Sequence, residues 1–187
     1  MRLKMAVFLT FIFLLTGCSS TDSGIEHAQA LRSKLRSGNG CSFIAHITAD
    51  YGETLYNFSL SCQADKNGNV SFTVLEPNSI NGITGTITGQ GGKLTFDDKA
   101  VAFEMIADGQ ITPVAAPWIL IMTLHGGYIN GCTATDNGYL LIIDDSYRDD
   151  SLRLNIQIGK DYQPCRAEIY WQNRRVLTMT VENFSFM

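Results

Sequence analysis

The side chains that could carry chemistry here are three histidines, five cysteines and a cluster of aspartates. His27, His46 and His125 lie far apart, and none has metal-ligand spacing with another histidine or a carboxylate. Each reads as a surface or capping residue. Asp144, Asp145, Asp149 and Asp150 place four carboxylates within seven residues. That spacing matches no calcium loop, and a solvated turn accounts for it. No serine sits in a Gly-x-Ser-x-Gly turn, so the strained strand-to-helix nucleophile of many hydrolases is absent. Gly91-Gly92-Lys93 lacks the glycine spacing and the following Ser or Thr of a phosphate-binding loop. No catalytic set, metal site or cofactor site emerges, and the chain is expected not to be an enzyme.

The cysteines say more. No two of Cys41, Cys62, Cys132 and Cys165 come within the C-x₂₋₄-C spacing of a zinc site. Residues 41–50 and 53–62 are strand-like runs around Tyr51-Gly52. A two-residue hairpin loop there pairs Phe43 with Leu60, Ala45 with Phe58 and Ile47 with Tyr56. The other face pairs Ser42 with Ser61, Ile44 with Ser59 and His46 with Asn57. One face is apolar and the other mostly polar, as a half-buried antiparallel pair requires. Cys41 and Cys62 then face each other, with opposed Cβ atoms ~4.5–5.5 Å apart. This predicts a Cys41–Cys62 bridge and, by elimination, Cys132–Cys165. The rival reading is four reduced, buried thiols.

At the N-terminus, Arg2 and Lys4 precede an apolar run from Met5 to Leu15, broken only by Thr10. That pattern fits a secretory signal and is short for a spanning helix. Leu15-Thr16-Gly17-Cys18, followed by Ser19 and Ser20, resembles the lipobox of bacterial lipoproteins. The resemblance implies cleavage before Cys18 and lipidation of Cys18. The alternative is an ordinary signal peptide with an incidental cysteine. Residues 1–17 are thus read as signal peptide, 18–22 as lipidated cysteine and tether, and 23–187 as one domain. The expected location is extracytoplasmic and lipid-anchored, in the cell membrane or the outer membrane, where disulfides are permitted.

Composition agrees. In 187 residues, 45% are hydrophobic and 17% charged, enough for one packed domain. Eighteen acidic side chains against 14 basic ones give a net charge of −4, which argues against nucleic acid. Ser23-Gly24-Ile25-Glu26 has capping-box spacing, and Ile25, Ala28, Leu31 and Leu35 follow at helical spacing, with Arg32, Lys34 and Arg36 turned away. Gly38-Asn39-Gly40 ends that helix. About eleven strands follow, in two groups. The second group reads as 128–135, 139–144, 152–158, 165–172 and 175–184, with a hairpin signal at Asp136-Asn137-Gly138. Between the groups, Pro117 to Gly127 forms a helix that is apolar all round and must be buried.

This order resembles the LolA/LolB lipoprotein-carrier superfamily, which includes LppX and LprG. Local features agree: Leu75-Glu76-Pro77 before Ile80-Asn81-Gly82-Ile83, Gly92-Lys93-Leu94-Thr95-Phe96, and Pro117 to Leu124. The resemblance implies a mainly β (α+β) fold, a strongly curved, antiparallel, half-open β-barrel with an N-terminal helix and a central apolar plug helix. It also implies a cavity for a lipid or a lipoprotein acyl chain. Small inward residues (Ala45, Ala49, Gly82, Gly85) would leave room for it. Trp118, Ile121, Met122, Leu124, Phe43, Phe58 and Tyr56 are the expected lining. The alternative is a closed-core interaction or sensor lipoprotein that binds a protein partner.

Overall fold

The computed structural model describes residues 22–187 apart from 97–98, 104–105, 108–109 and 149–150. The expected signal peptide, the expected lipidation site at Cys18 and residues 19–21 of the expected tether lie outside the described residues. Helix α1 (Asp22–Ser37) comes first. A meander follows: β1 (Gly40–Asp50), β2 (Leu55–Asp65), β3 (Val70–Glu76), β4 (Thr84–Thr88), β5 (Gly91–Phe96) and β6 (Lys99–Phe103). Two short strands, β7 (Ile106–Ala107) and β8 (Gln110–Ile111), pair with each other. Helix α2 (Ala116–Gly126) leads into a second meander: β9 (Tyr128–Thr135), β10 (Gly138–Asp144), β11 (Leu152–Gly159), β12 (Pro164–Trp171) and β13 (Arg174–Phe186).

Eleven strands form one antiparallel sheet, in the order β6-β5-β4-β3-β2-β1-β13-β12-β11-β10-β9. Pairing of β1 with β13 joins the two meanders. The sheet does not close, and β6 and β9 are its edges. Side chains alternate along each strand, and one face carries nearly all the buried apolar residues. Both helices pack on that inner face: α1 on β9 and β1, α2 on β2 and β10. The result is a curved, half-open barrel with its helices inside. Among the described residues, no helix is long and apolar enough to cross a membrane.

The first hairpin keeps its expected faces but not its pairing. Tyr51 to Thr54 form a four-residue connection, with the Tyr51 amide donating to the Thr54 carbonyl at 3.1 Å. Asp50 accepts the Gly52 amide at 2.8 Å and turns the chain. The pairing shifts by two residues, so Phe43 faces Cys62 and Cys41 faces Ala64. A two-residue slip preserves inside and outside, which is why hydropathy could not detect it. Cys41 and Cys62 become diagonal neighbours, at ~7–8 Å between Cα atoms. That is beyond ordinary disulfide reach without backbone movement. Cys132 on β9 and Cys165 on β12 have two strands between them, roughly 14 Å at ~4.8 Å per strand. All four are free thiols. Both expected bridges are therefore corrected.

Helix α2 is buried on nearly every side, with Ile121 at 0% and Leu124 at 1% exposure, as its unbroken apolar composition requires. Its last carbonyls have no partners within the helix. Helix α1 supplies them. Arg32 donates to the Leu124 carbonyl (2.9 Å) and to the Gly127 carbonyl, and Arg36 donates to the His125 carbonyl. These arginines are therefore not simply turned away to solvent. Their positive charge also suits the negative end of the helix dipole. Burial and the nearby Arg36 hold the His125 pKa below its ordinary value.

Candidate ligand-binding face

The register places one row of inner-face residues across six strands: Phe43, Cys62, Phe72, Gly85, Leu94 and Val101. Burial falls along it. Phe43, Cys62 and Phe72 are fully buried, Leu94 is half-buried, and Val101 on the edge strand is 64% exposed. The space above Gly85 is filled by the Phe72 ring, 2.4 Å from where a Cβ would sit. The Phe103 ring covers Gly92 in the same way, at 2.2 Å. Gly85 thus opens no cavity, because the neighbouring aromatic occupies it. Ala45 and Ala49 are at 0% exposure, under the packed interior. Gly82 lies outside the strands, in the β3–β4 connection.

Towards the β6 edge the same face is apolar yet open. Ile83, Leu94 and Phe103 are half-buried, and Phe96 is 61% exposed. On β2, Phe58 is half-buried and Tyr56 is exposed, the latter 5.8 Å from the Tyr51 ring. Tyr51 in turn donates to the Ile111 carbonyl at 2.7 Å, which fixes the approach to α2. Burial and the adjacent Tyr56 push the Tyr51 hydroxyl pKa up. Large apolar side chains on the inner face of a sheet are ordinarily covered, so this shelf is the informative feature of the surface.

The seven expected lining residues divide. Tyr56 and Phe58 lie on the inner face of β2, on the side of the shelf. Ile121, Leu124 and Phe43 are core, and Phe43 stacks on Phe184 at 5.7 Å. Met122 is 36% exposed, with its sulfur over Gly68. Trp118 is half-buried, and its indole N–H is buried without an acceptor. Ile83, Leu94, Phe96, Val101 and Phe103 were missed. Their signal was present: apolar alternation continues on both sides of Asp97-Asp98.

Among the described residues, the other polar constellations hold the fold together or face solvent. A cleft of about 500 Å³ on the outer face is lined by Ser42, Ser61, Thr73, Thr84 and Thr95, hydroxyls suited to water and not to an acyl chain. His46 Nδ1 lies 3.0 Å from Ser59 Oγ, and His46 Nε2 lies 3.4 Å from a Glu182 carboxylate oxygen. This has the connectivity of a serine–histidine–acid relay. Ser59, however, is only 5% exposed and donates its proton to Glu76 at 2.8 Å. A nucleophile covered in this way cannot meet a substrate, so the cluster is structural. Asp144 pairs with Arg153 at 2.9 Å, and Asp145 accepts the Leu152 amide at 2.9 Å. The Arg153 hydrogen bond holds the Asp144 pKa below the usual carboxylate range. Among the described residues, no group of three or more His, Cys, Asp or Glu side chains could hold a metal ion.

No family model matches the chain, and no curated protein matches it. Solved structures do. A domain named for outer membrane lipoprotein sorting, from Vibrio parahaemolyticus, is 9% identical with a TM-score of 0.49, covering 90% of this chain and 94% of that one. A LolA superfamily protein from Nitrosomonas europaea is 11% identical with a TM-score of 0.46, covering 90% and 94%. The lipoprotein LppX from Mycobacterium tuberculosis is 12% identical with a TM-score of 0.37, covering 83% and 95%. At these identities all three are similarities of chain path alone.

Proposed function

We propose that this protein is a lipid-anchored extracytoplasmic carrier that holds an acyl chain of a lipid or lipoprotein against the inner face of β4–β6. The observation that supports this most is the exposed apolar shelf of Ile83, Leu94, Phe96, Val101 and Phe103 inside a curved sheet. Each methylene laid on it contributes ~0.8 kcal/mol, so a chain of about six contributes roughly 5 kcal/mol before ordering costs. Tyr56 and Phe58 extend the shelf on β2, and Cys18 would hold the protein at the membrane. The rival reading, a closed-core protein that binds a protein partner, draws on the interior already filled by Ile121 and Leu124.

A fluorescent fatty-acid probe tests the shelf. Leu94→Asp should weaken probe binding at least tenfold, because a carboxylate would be desolvated under the chain. Thr86→Asp, on the outer face of β4, should leave binding unchanged. Equal binding by wild type and Leu94→Asp would remove the shelf from the account.

A further inference from the structure

We infer that the open end of the barrel rests on the same bilayer that holds the Cys18 lipid, with Tyr128 and Tyr147 as its interfacial contact. This rests on the anchored-carrier reading above. Tyr147 is 85% exposed and Tyr128 47% exposed, and their rings lie 5.0 Å apart. Tyrosine has an apolar body and a polar tip, the chemistry that settles at the headgroup level of a membrane.

The topology supplies the direction. In these antiparallel meanders the β1–β2, β5–β6 and β10–β11 connections all fall at one end of the sheet, and β9 begins at that end. Leu55, Tyr56 and Phe96, all exposed, belong to that end, as do Tyr128 and Tyr147. Tyr56 and Phe96 at this end also belong to the inner face that carries the apolar shelf.

The tether supplies the reach. Gly24 abuts Cys132, its ideal Cβ position lying 2.9 Å from the cysteine side chain, so α1 begins beside the middle of β9. From Cys132 back to Tyr128 is four residues of strand, about 13 Å. From Cys18 to Asp22 is four residues of chain, at most about 14 Å. A lipid on Cys18 and the tyrosine pair can thus reach one membrane plane together. The shelf would then open towards that bilayer and not away from it.

The test uses the full lipidated protein in phosphatidylcholine vesicles that contain a brominated phosphatidylcholine quencher. Tyr147→Trp should add emission that the brominated lipid largely quenches. Thr133→Trp, exposed further along β9, should add emission that it leaves alone. Vesicle flotation and native mass spectrometry of the same preparation report anchoring and bound acyl chain separately. Suppose the protein floats and carries lipid while the emission added by Tyr147→Trp stays unquenched, or while that added by Thr133→Trp is quenched as strongly. The docking inference is then overturned and the carrier reading stands. If the protein does not float, the Cys18 anchor fails, and this inference fails with it.

Discussion

Gly85 and Gly92 both lie under an aromatic ring, yet alanine should affect them differently. Phe72, over Gly85, is 3% exposed and has nowhere to go. Phe103, over Gly92, is half-buried on the edge strand and can swing outward. Gly85→Ala should cost roughly 1–3 kcal/mol in urea unfolding, as overpacked cores do, and Gly92→Ala clearly less. The buried thiols predict a pH effect. Burial pushes the Cys41 thiol from its ordinary value of 9.0 up to about 12. Burial also raises Cys62, and Cys41 adds to it. The folded-state value exceeds the unfolded one, so the proton is held in the fold. The stability that this contributes is full below about pH 9 and falls as pH rises towards 12. The slope should be ~1.4 kcal/mol per pH unit for each thiol, and Cys41→Ser should remove one share of it in alkaline unfolding curves. At this scale the sequence showed which face Cys41 and Cys62 occupy. It did not show their pairing, because a two-residue slip conserves every inside and outside position.

Helix α2 depends on α1 through two arginines. Arg32→Met would keep most of the apolar stem but leave the Leu124 and Gly127 carbonyls without their donors. A loss of about 1–3 kcal/mol is expected in thermal or urea unfolding, the range for a buried group left unpaired. Arg36→Met should cost less, because its single bond, to the His125 carbonyl, is exposed. A larger loss for Arg36 would contradict this capping arrangement. The elements themselves were legible. Pro117 and Gly126-Gly127 bracket α2, and Asp136-Asn137-Gly138 marks the β9–β10 turn. Turn chemistry and apolar runs are local signals, and they place these boundaries to within a residue or two, whereas the strand read as 53–62 runs Leu55–Asp65. The role of Arg32 was hidden, since a cationic side chain three residues from Leu35 looks like any solvated helix face until a partner helix is set against it.

The whole molecule is an unclosed sheet whose interior is filled on one side and bare on the other. Helices cover the inner face of β1, β2, β9 and β10, and the β6 edge keeps exposed apolar side chains. The sequence indicated that so wide a sheet needs filling by helices or by a ligand. It pointed to the helix itself as lining, because α2 was the most apolar segment. The structure puts that helix in the core and leaves the hairpin of β5 and β6 exposed. Burial depends on which strands a helix reaches, and sequence distance does not reveal that. The carrier reading stands or falls on whether this bare shelf holds an acyl chain. Native mass spectrometry of the protein released from its own membranes is the decisive experiment, wild type beside Val101→Asp. An adduct of lipid mass is expected on the wild type, lost on denaturation and absent from Val101→Asp at equal folded content. A wild type with no adduct, or a variant that carries the same adduct, would overturn the reading.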